Sequence, residues 1–462
     1  MSLDMNGTTI CQTVPFQSLA QNFKLLTTLS WQEVREFGPS IGFWPDGATS
    51  FSVNSVASED GIGVCNVYNR NTSPLVSAAL SAGELYNEGM YRRQSAWNHN
   101  PRGISGSAGA YSGLVASGVT TLNQMYKSHI FKCRDGAAGA SVWQAAISAV
   151  VMLRHLHSFF DKCPLIRGCF FKMTLNLNQS TIQVANTGAG GALSIVSINS
   201  PLGGVQPLLF ASTGAGNDAL VAGTYTVSLS VGATCLSSLQ NGLAGISPSP
   251  LARSVMLYVP TYVFVPAFES AYLSQSVKHI EYEDMYFYQV LNQQSGSNIQ
   301  ALITNGIAGM KSVLVIPFYN AAAPLAGGFD PIQSPFDTCG GGGTSPMAYI
   351  NNYNVQISGQ NALYVAEKYN FSNYLHNLRG SHSVNGGQID SIGSGLISQL
   401  AFESSYCYYY TDVSRCLSVE NSVPKSVQLV GQNASSQALN LYVFINYSAS
   451  LALDCLSGAR VS

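Results

Sequence analysis

The sequence predicts an all-β chain of two tandem halves, and three observations lead there. A long period-two pattern stands near the C-terminus, strand-like runs bounded by turn residues recur through both halves, and charge is scarce for a chain of 462 residues. In the closing stretch PKSVQLVGQNASSQALNLYVFINYSASLALDC (424 to 455), every odd position from Leu439 to Cys455 is apolar, while the even ones include Asn440, Asn446, Ser448, Ser450 and Asp454. Period two over that length predicts a long strand with one face in a core. Tyr442 and Phe444, at even positions, predict that part of the opposite face is covered too. Val427 and Leu429 alternate with polar neighbours before it, GQNASSQ supplies a turn, and Pro424 stands at a strand start where a missing amide proton is harmless.

Length fits two large β-domains of about 200 residues each. Hydrophobic residues make up 46% of the chain and charged ones 10%, against about 25% charged in a typical soluble domain. Charged side chains sit mostly on solvated surface, so their scarcity implies a surface covered by membrane or by other subunits. No stretch approaches the ~20 apolar residues of a spanning helix: Ala145 to Leu153 is too short, and Val255 to Phe268 is interrupted by Pro260 and Pro266. MSLDMNGTTI lacks the basic start and apolar core of a signal peptide, and Ser2 stands where N-myristoylation needs glycine. Repeated ten-residue strands with aromatic belts, the pattern of an outer-membrane barrel, are missing, which leaves subunit contacts.

Taken in order, residues 1–22 lack periodicity and read as a flexible arm. Strands are expected at Phe51 to Val56 and Gly63 to Tyr68, a helix over Ser73 to Gln94, and strands at Trp143 to Leu156 and Cys169 to Leu177. Residues 184–250 are rich in Gly, Ala, Ser, Val and Leu with frequent turns, as in a sandwich with extended loops. VMLYVPTYVFVP (255 to 266) closes the first half, 23–266, and residues 267–277 read as a linker. In the second half, 278–462, strands follow at His279 to Leu291, Lys311 to Phe318 and Tyr353 to Ser358. A short helix is expected over Val365 to Leu378, then Tyr406 to Val413 leads into the closing pair, with loops at 319–348 and 386–395. About eight strand candidates per half, with a short helical insertion in each, is the strand count of a jelly roll taken twice.

From Leu257 onward the chain resembles the major capsid proteins of double-stranded DNA viruses and transposons of the Polinton, adintovirus, Polinton-like virus and virophage group. The segments that carry the resemblance are LYVPTYVFVPAFESAYLS (257 to 274), HIEYEDMYFYQVLN (279 to 292), LITNGIAGMKSVLVIPF (302 to 318), SPFDT (334 to 338), NYNVQISGQNAL (352 to 363), NGGQIDSIGSGLIS (385 to 398), YYYTDVSRC (408 to 416) and PKSVQLVGQNASS (424 to 436). The first half contributes FFDKCPLIRGCFFKMTLNLN (159 to 178). The chain departs from the family's pattern at Cys416, where a basic residue or Ser is expected, and in the long Gly340 to Gly343 run. The resemblance implies a double jelly roll, two eight-stranded sandwiches side by side with short helical insertions. It further implies a pseudo-hexameric homotrimer that meets neighbouring capsomers, a penton protein and minor capsid proteins in the icosahedral shell of a double-stranded DNA virus, assembled inside the host cell. The alternative reading is a jelly-roll carbohydrate-binding or attachment module, for which Tyr406 to Tyr410 is the one dense aromatic group. A hydrolase would need a carboxylate pair that the pattern does not place.

No catalytic, cofactor-binding or metal-binding residue is assigned, and no enzyme activity is expected. His155, His157 and Cys163 lack a further ligand in spacing and read as surface or interface residues. Glu281 and Glu283 share a strand face beside Asp284, with Lys278 and His279 nearby, and read as a solvated face or subunit contact. There is no GxSxG elbow, and no Lys-Ser/Thr follows Gly340 to Gly343, which excludes a phosphate loop. Net charge is -2 without like-charge runs, and the pairs Arg92, Arg93 and Lys132, Arg134 make no basic stripe, so no sequence-specific nucleic-acid binding is expected. The ten cysteines form no CxxC and are expected as thiols. Sequons at Asn6, Asn71, Asn178, Asn370, Asn433 and Asn446 read as chance in a chain rich in Asn, Ser and Thr.

Overall fold

The N-terminal residues are ordered, and they are built on local signals. β1 (Ser2–Met5) and β2 (Thr8–Cys11) pair antiparallel. Asn6 and Gly7 connect them with φ of 48° and 80°, the left-handed pair that a two-residue hairpin turn demands and Asn-Gly supplies. α1 (Gln17–Thr28) follows, then α2 (Trp31–Ile41). A capping box starts α2: the Ser30 N–H donates to Glu33 Oε2 at 2.7 Å, and Ser30 Oγ accepts from the Glu33 N–H at 3.3 Å. These residues belong to a computed structural model that describes residues 1–41, 43, 45, 130–134, 142–145, 150–176, 179–186, 193–199, 223–230, 256–320, 348–363, 368–380, 395–404, 406–414, 423–435, 438–454 and 460–461. The segment read as an arm therefore holds a hairpin and the first half of a helix. The reason is legible: Leu19, Phe23 and Leu26 recur at helical spacing and are buried.

The rest of the first half is antiparallel where it is described. β3 (Ile130–Arg134) pairs β4 (Val142–Ala145), and two one-turn helices follow, α3 (Leu153–Leu156) and α4 (Phe159–Lys162). β5 (Phe171–Thr174) pairs β1, and β6 (Gln179–Asn186) lies between β7 (Leu193–Asn199) and β8 (Gly223–Ser230). The strand expected over 143–156 is thus corrected to β4 plus α3, since a short apolar run does not distinguish strand from helix. Residues 256–265 are in no sheet, and α5 (Pro266–Ser274) occupies most of the expected linker. Pro260 lacks the amide a ladder needs, while Pro266 sits in the first turn of α5 where that loss is tolerated. The strands expected at 51–56 and 63–68 and the helix over 73–94 lie outside the described residues.

The second half is a jelly roll, and the chain is all-β with short helices. Its elements are β9 (Val277–Gln293), β10 (Asn298–Ile307), β11 (Met310–Tyr319), β12 (Ile350–Ile357), β13 (Gln360–Asn361), α6 (Phe371–Gly380), α7 (Gln399–Ser404), β14 (Tyr409–Asp412), β15 (Lys425–Asn433), β16 (Leu439–Asp454) and β17 (Arg460–Val461). One sheet runs β9, β16, β11, β14 and the other β10, β15, β12, β13, with β17 adding to the end of β16. The first strand therefore lies beside the eighth and the second beside the seventh. The third sits between the eighth and sixth, and the fourth between the seventh and fifth. That order, all antiparallel, is the paired Greek key of a jelly roll. The expected helix over 365–378 begins instead at Phe371, where Asn370 Oδ1 accepts from the Asn373 N–H at 2.9 Å.

Register explains why the β16 sheet is apolar on both faces. Val443 lies opposite Val315 and Tyr288, and Val315 opposite Tyr409. On this face the Tyr409 ring lies 4.7 Å from Tyr353 of the other sheet, and Tyr353 and Thr411 share a hydrogen bond of 3.0 Å, so it is the sandwich interior. Phe444 lies opposite Phe287 and Leu314, and Leu314 opposite Tyr410. That outer face meets the N-terminal segment: Phe16 packs at 4.9 Å on Tyr442, and Phe23 at 4.8 Å on Tyr408 and 5.6 Å on Tyr410. The cover predicted by the two even aromatics is the arm itself. Gly395 fixes the close approach: the Leu396 N–H donates to Leu26 O at 2.8 Å, and a Cβ on Gly395 would lie 2.3 Å from that same oxygen.

Candidate functional site

The side chains weighed as chemistry come together where the first half meets β9 and β16, with His157 at the centre. It follows directly on α3, outside any strand. The Phe159 N–H donates to His157 Nδ1 at 3.2 Å, which makes Nδ1 the acceptor and places the neutral ring's proton on Nε2. Nε2 faces Asp284 Oδ1 at 3.4 Å, and Tyr447 donates to Asp284 Oδ2 at 2.9 Å. Burial raises the Asp284 pKa, but hydrogen bonds from His157, the Met285 N–H and Tyr447, with the attraction of His157, hold the carboxyl below its usual range. Burial and that same charge push the Tyr447 hydroxyl up.

The neighbouring contacts are structural in kind. Ser158 Oγ donates to Glu283 O and accepts from the Glu283 N–H, both at 2.7 Å, and Tyr282 donates to Ile10 O at 3.1 Å. Leu3, Met5, Ile10, Cys11 and Phe159 pack with Ile280, Tyr282, Leu451 and Leu453 in a second, smaller core. Glu281 and Glu283 stand opposite Ser450 and Ser448, while Lys278 lies 4.2 Å over the Tyr272 ring and does not join them. His155 is separate, its pKa lowered by burial and by Arg154 and Lys24. Arg167 pairs with Glu269, and Tyr272 donates to Leu165 O, which ties α5 to the segment after α4. The Asp284 cluster was missed in sequence because its members are more than a hundred positions apart.

Other candidates lose their chemistry on inspection. Tyr406, Tyr408, Tyr409 and Tyr410 are buried, so the one aromatic group that favoured a carbohydrate platform is core. Cys163, Cys169 and Cys407 place their Sγ against the carbonyl oxygens of Pro164, Arg167 and Phe402, and burial followed by Asp284 pushes the Cys11 thiol up to about 11. Asn433 is buried and its Nδ2 donates to Gln293 O at 2.9 Å, so the folded chain offers no glycan acceptor there. Among the described residues no three His, Cys, Asp or Glu side chains gather as a metal site, and no helix is long and apolar enough to cross a membrane. Arg92, Arg93 and Gly340 to Gly343 lie outside the described residues.

No family model matches the chain, and no curated protein matches it. Among solved structures it is similar to a quasi-atomic model of the PBCV-1 virus capsid, at 10% identity and a TM-score of 0.25, covering 64% of this chain and 95% of that one. It is also similar to PBCV-1 VP54 fitted into a cryo-EM reconstruction of the virophage Sputnik, at 11% identity and a TM-score of 0.25 over the same shares. The mavirus major capsid protein aligns at 10% identity and a TM-score of 0.22, covering 40% of this chain and 41% of that one. At such scores the superpositions are loose, and the fold assignment rests on the strand order of the second sandwich.

Proposed function

We propose that the chain is a major capsid protein whose two halves, 23–266 and 278–462, are tandem jelly rolls. Three copies form a pseudo-hexameric capsomer that tiles the icosahedral shell of a double-stranded DNA virus of the Polinton-like and virophage group. The observation that carries this is the strand order β9, β16, β11, β14 facing β10, β15, β12, β13, found in the segment where the family resemblance is densest. A 10% charged composition supports it, because a shell subunit hides most of its sides against copies of itself. The His157, Asp284 and Tyr447 cluster has a structural part in this reading, fastening α3 and the residues after it to β9 and β16.

The test is mass and morphology. Light scattering on soluble protein is expected to give about three times the 49.1 kDa chain mass, and electron microscopy to show shells or hexagonal sheets. A monodisperse monomer over a wide concentration range overturns the reading.

A further inference from the structure

The seam around His157 holds one ring between two partners that make opposite demands on it. His157 is buried between α3 and α4. Its Nδ1 accepts from the Phe159 N–H at 3.2 Å, which requires a bare nitrogen, while Nε2 faces the Asp284 carboxylate at 3.4 Å, which favours positive charge on the ring. Histidine is the side chain whose charge changes between about pH 5 and 8, and imidazolium carries a proton on both nitrogens. A second proton on His157 must therefore go to Nδ1, where it meets the Phe159 N–H as donor against donor. Asp284 is fixed by the Met285 N–H at 2.8 Å and by Tyr447 at 2.9 Å, so the Phe159 side is the one that yields.

Phe159 has a mechanical role at this seam. Its ring is 1% exposed, meets Tyr282 edge-on at 5.6 Å and belongs to the small core that joins β1 and β2 to β9 and β16. We infer that His157 is a proton-operated latch: protonation at Nδ1 breaks its hydrogen bond with Phe159 and frees α4 from that core. Ser158, bonded twice to the Glu283 backbone, is the pivot. The other ionisable groups around the seam leave this step to His157. The Asp284 carboxyl, held below its usual range, stays ionised in mild acid. On β2 the Cys11 thiol is pushed up to about 11, and the Tyr447 hydroxyl on β16 is raised as well, so both stay neutral. Beyond α4, Lys24 of α1 donates to Arg154 O and lies in the field of Asp161 and Glu283. His155, on α3, is the imidazole to separate by experiment, its pKa lowered by burial, Arg154 and Lys24.

Hydrogen exchange on the full chain, read by mass spectrometry over residues 158–163 and corrected for intrinsic rates, tests the latch. The open form binds the second proton more tightly than the closed one. Protection is thus expected to fall about tenfold between about pH 7.5 and about 5.5, in step with the titration of His157 followed by exchange at its ring carbon. His157→Asn places an oxygen near the Nδ1 position that accepts from the Phe159 N–H at every pH, and protection in that variant stays flat. His155→Gln keeps the response of the parent. Asp284→Asn removes the charge that draws the proton, and opening moves to lower pH. A response that survives His157→Asn, or that vanishes with His155→Gln, overturns the latch. Where His157→Asn fails to fold, the parent alone decides: a His157 ring that titrates while residues 158–163 stay protected refutes it. An equal loss of protection in β11 shows general unfolding and refutes it as well.

Discussion

The second sandwich and the described parts of the first half treat their apolar residues in opposite ways. In the sandwich, Leu441, Val443, Ile445, Tyr442 and Phe444 of a single strand are all buried, because one face meets the other sheet and the opposite face meets α1 and the residue before it. In residues 150–175 and 256–268, apolar side chains stand on the surface of the single copy; Val263 is 100% exposed, and Tyr258 and Phe170 each 84%. Burial within one chain is therefore enough to account for the second sandwich and not for those segments. The contrast also shows where cooperativity lies: the N-terminal 28 residues belong energetically to the C-terminal sheet.

The contrast is broken most severely by Val443→Asp. The side chain is fully buried between the two sheets, opposite Val315 and Tyr288. An unpaired carboxylate there costs several kcal/mol, comparable to the stability of an ordinary domain. Soluble protein is expected to disappear, and a soluble trimer of normal mass would show that the strand's faces have been assigned the wrong way round.

Phe23→Ala sharpens the claim that α1 completes the sheet. Removing a buried ring leaves a cavity between Tyr374, Tyr408 and Tyr410 and is expected to cost about 3 to 5 kcal/mol, since Phe23 contacts all three rings. Urea unfolding of the whole chain should show a lower midpoint. A free arm would leave the midpoint unchanged, and that result would detach α1 from the core.

Asp284→Asn acts at the seam between the first half and β9. Losing a charged acceptor is expected to cost about 1 to 3 kcal/mol at neutral pH, because Tyr447, the Met285 N–H and His157 all point at it. The sign with pH follows from the lowered carboxyl: its contribution is present above the unfolded value near 4 and fades as pH falls through the native one. Thermal melts of the parent should therefore drop more steeply in acid than those of the variant. Parallel curves would remove Asp284 from the account.

How much of this was legible depends on the range of the signal. Strands whose pattern is local could be read, β16 from alternation and β11 from its continuous apolar run, and the double cover of β16 from Tyr442 and Phe444. β10 was passed over although Ile299, Ala301 and Ile303 alternate, because Asn and Gly dilute the pattern. The N-terminal hairpin and helices rest on signals of only a few positions each, Asn6 with Gly7, Ser30 with Glu33 and the spacing of Leu19, Phe23 and Leu26, which the polar composition around them masks. The pairing of His157 with Asp284 spans 127 positions, and nothing local encodes it.

The smallest expected effect is Asn446→Asp, the control for Val443→Asp three positions away on the opposite face. Asn446 is half-buried, lies opposite Met285 and Ser312, and its Nδ2 donates to Ser312 Oγ at 3.1 Å. The serine hydroxyl can rotate to donate to the new carboxylate, so the hydrogen bond is kept with its direction reversed. Ser312 itself is fully buried, so the carboxylate meets one partner and partial solvent, where Val443→Asp has neither. The change is expected to cost under about 1 kcal/mol and to leave trimer yield intact. A loss as large as that of Val443→Asp would mean that this part of the outer face is as dry as the sandwich interior, and the cover supplied by the N-terminal segment would have to extend down β16 past Phe444.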